Sequence, residues 1–440
     1  MTPKPPEPEA SFVDWFRSAA PYIHAFRGKT FVIAFGGDAM LRDDFVDLIH
    51  DVNLLNAMGV RLVLVHGVRP QVEERLAAKG GEAQYIQGRR VTDAETLEHV
   101  KDAVGSVRVD IESLLSIGLP NTPMAGAEIR VASGNFVTAK PLGVVEGVDL
   151  LFTGEVRKVA AEAINARLAA GDIVLLSPLG YSPTGEVFNL TLEEVATAAA
   201  VQLKAEKLIF LLDHGDTVDA KGERISQITV AEAPKVIKKL PDGDMKLYLP
   251  HAAMACRSGV RRAHLVSADV DGALLMELFT HEGVGTLVTA QPVETLRPAT
   301  IADVGGVLQL IEPLEQAGVL VRRSRELLEQ EIEQFFVDDL DGRIVGCAAL
   351  YPFTGERAGE MACLAVHPDF RDSGRGEALL KAIEGAAKTA KLKRLFVLTT
   401  RTAHWFIERG FVQATPDDLP AARKELYNWQ RRSKVFVKEL

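Results

Sequence analysis

Between an apolar run, Met361-Ala-Cys-Leu-Ala-Val-His-Pro368, and a helix-forming run, Glu377-Ala-Leu-Leu-Lys-Ala-Ile-Glu384, the chain carries Arg371-Asp-Ser-Gly-Arg-Gly376. Strand, glycine loop and helix start, in that order, make an anion site. Glycines let the backbone bend so that several N–H groups point at one phosphate, and the helix N-terminus adds its partial positive charge. No Gly-Lys-Ser/Thr follows, so this is not a Walker loop. The glycines are not spaced G-x-G-x-x-G either, which excludes the dinucleotide fingerprint. An ordinary strand-to-helix turn is the competing reading.

The chain's 440 residues suffice for two or three domains, each with its own core. A formal net charge of −10 and the lack of a long basic run argue against nucleic acid as a partner; the densest basic stretch is Arg431-Arg-Ser-Lys434. No apolar stretch reaches membrane-spanning length, and the Pro/Glu-rich start is no signal peptide, so neither a membrane nor export is expected. The three cysteines, Cys256, Cys347 and Cys363, are far apart and form no C-x-x-C. That pattern predicts a reduced, cytoplasmic protein with no metal and no disulfide framework.

Ser11 to Phe26 has apolar residues at near-helical spacing and reads as a separate amphipathic helix. From Thr30 to about residue 290, apolar runs at Thr30–Phe35, Arg61–Val65, Asp172–Ser177, Lys207–Leu212 and Gly285–Thr289 alternate with helical patterns such as Asp43–Met58 and Leu192–Leu203. Continuously apolar strands between helices predict a largely parallel sheet covered on both faces. Residues 291–297 read as a linker. Beyond it, helices near 303–317 and 323–332 precede strands at 333–339, 342–351 and 360–366, then the glycine loop, a helix, and strands at Arg394–Thr400 and Ser433–Lys438. The expected domains are therefore 1–290 and 298–440.

The Arg-x-x-Gly-x-Gly spacing resembles the pyrophosphate loop of the GNAT acetyltransferases, which holds coenzyme A. Val321-Arg-Arg-Ser-Arg-Glu326, Glu360-Met-Ala-Cys-Leu-Ala-Val-His-Pro368, Leu398-Thr-Thr400, Trp405-Phe-Ile-Glu-Arg-Gly-Phe411 and Tyr427-Asn-Trp-Gln-Arg-Arg-Ser-Lys434 resemble the bacterial N-acetylglutamate synthase family. The resemblance covers nearly the whole chain and implies acetyl transfer from acetyl-CoA to L-glutamate, the first step of L-arginine synthesis. It implies a cofactor grip from Cys363, Leu364 and Val366 on the fourth strand and from Arg371, Gly374, Arg375 and Gly376 in the loop. Glu360 is the implied base, acting through water. Cys363 lies near the thioester, with the amine attacking directly; a small buried thiol is its other reading. Thr399 stands where the family carries a hydroxyl that donates to the thiolate; a β-branched strand residue is the alternative. Strand alternation puts positions 360 and 363 on opposite faces, and a β-bulge between them would reconcile the two. A dicarboxylic amino acid needs two carboxylate clamps, and arginine offers a planar fork. By resemblance Arg323 and Arg432 take these roles.

Thr30-Phe-Val-Ile-Ala-Phe-Gly-Gly-Asp-Ala-Met40, Val65-His-Gly67, Arg90-Val-Thr-Asp93 and Phe152-Thr-Gly-Glu-Val156 resemble the amino-acid kinase family, implying a three-layer αβα sandwich ahead of the GNAT α+β domain. The departures argue against kinase chemistry. Those kinases place lysine where this chain has Ala34, and phosphoryl transfer needs cations against developing charge. Val68-Arg69 adds bulk after His-Gly, and Glu193 replaces the kinase aspartate. The retained scaffold implies feedback control by L-arginine, bound between the extra helix (Tyr22) and the segment holding Glu277, Gly283 and Gly285. The family resemblance also implies a homo-oligomer, a hexamer.

Overall fold

A computed structural model describes residues 8–213, 222, 224–280, 283–291, 294–340, 342–371, 374–425, 427 and 433–440. The chain divides into two compact units, Met1–Gln291 and Pro292–Leu440.

In the first unit, helix α1 (Pro8–Phe26) precedes an eight-stranded sheet. Its strands are β1 (Thr30–Phe35), β2 (Arg61–His66), β3 (Val131–Ala132), β4 (Ile173–Leu176), β5 (Lys207–Leu212), β6 (Gln227–Thr229), β7 (Arg262–Ser267) and β8 (Thr286–Thr289). They lie in the order β6-β8-β7-β5-β1-β2-β4-β3, parallel throughout except for β7 against β8. Alternation along β1 divides the core. Val32 and Ala34 pack under the helices Leu192–Gln202 and Asp244–Arg257. Phe31, Ile33 and Phe35 pack under α1, Phe45–Ala57, Ala94–Leu115 and α2 (Ala273–Phe279). The result is the expected αβα sandwich. A smaller sheet joins Val137–Pro141, Gly154–Val159, Leu179–Tyr181 and Val187–Asn189, none of them among the strands expected from the sequence.

A charge relay holds α2 to the sheet. Lys207 Nζ on β5 donates to His264 Nε2 on β7 at 3.0 Å, and His264 Nδ1 donates to Glu277 Oε1 on α2 at 2.6 Å. Glu277 Oε2 accepts the amides of Val284 at 2.8 Å and Gly285 at 2.7 Å. A neutral imidazole thus sits between an ammonium and a carboxylate, all buried. Burial, and then Lys207, push His264 down to about 4; burial does the same to His66, whose Nε2 pairs with Ser177 Oγ at 2.8 Å.

The second unit is one seven-stranded sheet. Its strands are β9 (Glu294–Pro298), β10 (Phe335–Leu340), β11 (Arg343–Phe353), β12 (Ala358–Val366), β13 (Arg394–Thr399), β14 (Val412–Ala414) and β15 (Lys434–Glu439), in the order β9-β10-β11-β12-β13-β15-β14. Only β12 and β13 pair in parallel. One face is covered by α3 (Val304–Gln316) and α4 (Arg325–Glu331), the other by α5 (Arg375–Thr389). The stretch 291–297, expected as a linker, contains most of β9. Pro298 is tolerated because it ends an edge strand. Arg297 ties that strand down through Asp303 at 2.8 Å and Asp339 at 2.7 Å.

Leu379 of α5 is fully buried against β11, with Cδ1 at 3.0 Å from where a Cβ on Gly346 would stand. Leu379→Ala should cost about 2–5 kcal/mol, read as a lower denaturant midpoint for the second unit. The two buried histidines set a pH dependence. Unfolded histidine binds its proton near 6.5, whereas these bind only near 4 when folded. The unfolded state therefore holds more protons in that window, so stability is full above pH ~6.5 and declines as pH falls toward ~4. Thermal melting of the first unit should fall by several degrees between pH 7 and pH 5; an unchanged midpoint would contradict the burial argument.

Candidate active site

β12 and β13 run together only where Ala358, Gly359 and Glu360 face Arg394, Leu395 and Phe396. Beyond that point both strands continue, to Val366 and Thr399, with no further register between them among the described residues. β13 instead pairs with β15 on its other edge, Thr399 lying opposite Lys434. The sheet therefore opens at Glu360, and the edge of β12 from Met361 onward lines the opening.

On its other side β12 stays paired with β11. Glu360 faces Tyr351, Met361 faces Leu350, and Ala362 faces Ala349. The next regular pair is Cys347 with Ala365, so Cys363 and Leu364 together oppose Ala348. Cys363 takes the left-handed conformation, φ 53°, the geometry of a bulge whose first residue is αL. The bulge expected between Glu360 and Cys363 thus lies one step later, at Cys363 itself. Its effect is to move Cys363 across the sheet. Cys363 packs with Cys347, Ala349 and Ala365, while Met361, Leu364 and Val366 pack with Leu379, Leu380 and Ile383 of α5. Alternation puts Glu360 opposite Met361, so Glu360 and Cys363 share the α3 face.

Arg323 comes to the same face from the loop before α4. Ser324 caps that helix, accepting the amide of Leu327 at 3.2 Å. The Arg323 amide donates to Glu315 Oε1 at 2.9 Å, and Nη1 donates to the Val321 carbonyl at 3.1 Å. Burial works against the Arg323 charge, yet nearby Cys363, Tyr351 and Glu331 outweigh it and keep the guanidinium firmly protonated. Tyr351 Oη donates to Glu331 Oε2 at 2.6 Å. The Cys363 thiol is held below its ordinary range by the Cys347 thiol and, against burial, by Arg323. Glu360, nearly buried, is gripped by Arg423: Nε lies 2.5 Å from Oε2 and Nη2 lies 3.1 Å from Oε1.

The glycine loop opens α5. Gly374 has φ 79°, which favours glycine, and it precedes the first helical residue, Arg375. A Cβ on Gly376 would stand 3.2 Å from Trp405 Cζ2. The Arg375 side chain is committed elsewhere: Nη1 donates to Asp338 Oδ2 at 2.8 Å and the guanidinium lies over the Phe370 ring at 5.2 Å. What Arg375 and Gly376 offer is therefore their amides, part of the four that a helix start leaves without intrahelical partners. Arg371 is exposed. Thr399 Oγ1 shares a hydrogen bond with Thr402 Oγ1 at 3.0 Å and accepts the Thr402 amide at 3.2 Å, so it also shapes the turn into Ala403–Ile407. Arg432 lies outside the described residues.

In the first unit, Glu277 lies beside Gly283 and Gly285, where a Cβ on Gly283 would meet its carboxylate. The Tyr22 ring of α1 lies tilted against Phe26 at 6.0 Å, and Phe26 meets Phe279 of α2 edge-on at 5.6 Å. The helix carrying Tyr22 therefore packs on the helix carrying Glu277. Glu277 is buried and already accepts three donors. Elsewhere in this unit Gly36, Gly37, Arg69, Arg90, Glu193 and Asp213 line a cavity of ≈ 120 Å³ at the strand ends, with Ala34 fully buried beneath. Among the described residues no group of three or more His, Cys, Asp or Glu could hold a metal, and no helix is long and apolar enough to cross a membrane.

The sequence did not single out Arg423, Tyr351 or Glu331. Tyr351 could have been found by pairing β11 with β12, which sets it across from Glu360. Arg423 had no such signal: a lone arginine in Ala421–Glu425, it is 63 positions from its partner.

Residues 29–267 match the amino acid kinase family and residues 307–411 the acetyltransferase (GNAT) family. An amino-acid acetyltransferase from Ralstonia nicotianae is 55% identical over 100% of this chain and 98% of its own length. One from Azotobacter vinelandii is 54% identical over 98% of this chain and 99% of its own. The crystal structure of N-acetylglutamate synthase from Neisseria gonorrhoeae with coenzyme A and L-arginine superposes with a TM-score of 0.90 at 37% identity, covering 98% of this chain and 99% of that one. The same enzyme with coenzyme A and N-acetyl-glutamate gives 0.63 at the same identity and coverage. With full-length relatives above half identity and both units matched, the chain belongs to the amino-acid acetyltransferase family, the N-acetylglutamate synthases built from an amino-acid kinase fold and a GNAT unit.

Proposed function

We propose that this enzyme moves the acetyl group of acetyl-CoA to the amino group of L-glutamate, giving N-acetyl-L-glutamate and coenzyme A, as the first step of L-arginine synthesis. The observation that carries this reading is the opening between β12 and β13, with the glycine loop at one end and Glu360, Cys363 and Arg323 gathered on one face. The pyrophosphate sits on the amides of Gly374 to Gly376, and the pantetheine runs along the edge of β12 at Cys363, Leu364 and Val366, taking the place of the missing neighbouring strand. Leu364 and Val366 turn their side chains to α5 and leave backbone for the ligand.

Glutamate arrives as an ammonium. Its proton passes to Glu360, through one water, and the freed amine attacks the thioester carbonyl. The carbon–sulfur bond breaks and the thiolate takes a proton, for which the Thr399 hydroxyl is placed at the end of β13. Cys363 shapes the face as a small buried residue and forms no acetyl intermediate. Arg323 and Arg432 hold the two carboxylates. Arg323→Ala should raise the glutamate KM by one to three orders of magnitude, equivalent to roughly 1.4 kcal/mol per decade, with acetyl-CoA binding little changed. A folded variant with an unaltered glutamate KM would remove Arg323 from the site.

The first unit serves regulation. Ala34 supplies no cation for phosphoryl transfer, and the chain is not a kinase. L-Arginine binds where α1 meets α2, near Tyr22, Glu277, Gly283 and Gly285. A carboxylate has about four acceptor positions, so Glu277, with three taken, retains one for a guanidinium. Inhibition is allosteric, because a site built from arginine side chains repels a third guanidinium. The protein is cytoplasmic and assembles as a hexamer; exposed Phe12, Trp15 and Phe16 on α1 support assembly through that helix. Deleting residues 1–26 should abolish arginine inhibition while acetyl transfer persists. Retained inhibition in the truncated enzyme would place the effector elsewhere.

A further inference from the structure

Arg423 engages both oxygens of Glu360, at 2.5 Å and 3.1 Å, with side-chain exposures of 22% for Arg423 and 10% for Glu360. A carboxylate this enclosed needs a counter-charge. The guanidinium is delivered by an anchored segment. The Ala421 amide donates to Glu356 Oε1 at 2.8 Å, Lys424 pairs with Asp417, and Leu419 packs beneath against Ala358, Phe396 and Val435. Around Glu360 the other titratable groups among the described residues are Tyr351 across the ladder, Cys363 on the same strand, and Arg323 with Glu331 beyond Tyr351. Tyr427 packs in the same patch as Leu419, and β13 contributes the apolar Phe396.

We infer that Arg423 is a positioning residue for acetyl transfer, fixing the Glu360 carboxylate in rotation on the face where the amine arrives. The fork occupies one lone pair on each oxygen and leaves the outward pair of each free for the ammonium proton or its relaying water. A lysine in the same place would supply charge without the fork. The inference rests on Glu360 being the base proposed above, and the test separates the two.

The experiment compares full-length Arg423→Gln, Arg423→Lys and Glu360→Gln with wild type in steady-state thiol release from acetyl-CoA with L-glutamate. Arg423→Gln should lose roughly 10- to 100-fold in kcat at neutral pH, part of the 10²- to 10⁴-fold a positioned base supplies. The loss should fall on kcat, while the acetyl-CoA KM stays near wild type. Arg423→Lys should fall between, and it carries the test if the glutamine variant does not fold. A slow Glu360→Gln beside an Arg423 variant with wild-type kcat would overturn the inference. So would a loss that falls on the acetyl-CoA KM and not on kcat, which marks a merely structural role. Wild-type turnover in Glu360→Gln would remove the base itself, and the inference with it.

Discussion

Two parallel strands that start paired and then part leave backbone edges for a ligand to use, and the second unit is organised around that parting. The register of β12 with β13 ends at Glu360 and Phe396. β15 keeps β13 paired on its far side and β11 does the same for β12, so the sheet stays whole while its middle opens. The glycine loop follows β12 directly, which places a helix N-terminus at the mouth of the opening. A bulge at Cys363 then brings that residue to the face of Glu360 and Arg323. The proposed cofactor grip and amine chemistry would thus both depend on one strand and its irregularities.

Charge is handled differently in the two units. On the face shared by Glu360, Cys363 and Arg323, arginines stand against a nearly buried carboxylate and a thiol. In the kinase-fold unit, Lys207 and Glu277 balance each other across the uncharged His264 imidazole and serve mainly to fix α2 and the segment after it. An effector that recruits the remaining acceptor position of Glu277 would act on that fixed element, and so on the packing of α1 against it.

Much of this was legible in the chain. Thr30–Phe35 and Lys207–Leu212 form strands over the residues their apolar runs mark, because buried parallel strands must be apolar on both faces. β7 was missed: Arg262-Ala-His-Leu-Val-Ser267 begins with a charge and has a histidine at its centre, whose polarity only the relay with Lys207 and Glu277 explains. β9 was hidden by its proline, which is harmless at the end of an edge strand. The glycine loop and Glu360 were readable as local motifs. Arg423 was not, since its meaning comes from tertiary contact, and the side chain of Arg375 turned out to serve Asp338.

The central claim is that the parted strands and the Gly374–Gly376 turn form the coenzyme A site. Its most direct test is calorimetric titration of coenzyme A into wild type and Gly374→Val, with circular dichroism to confirm that the variant folds. Valine at φ 79° is strained and would displace the converging amides. The account predicts binding in wild type and its loss in the folded variant; wild-type affinity in that variant would show that the loop is an ordinary turn.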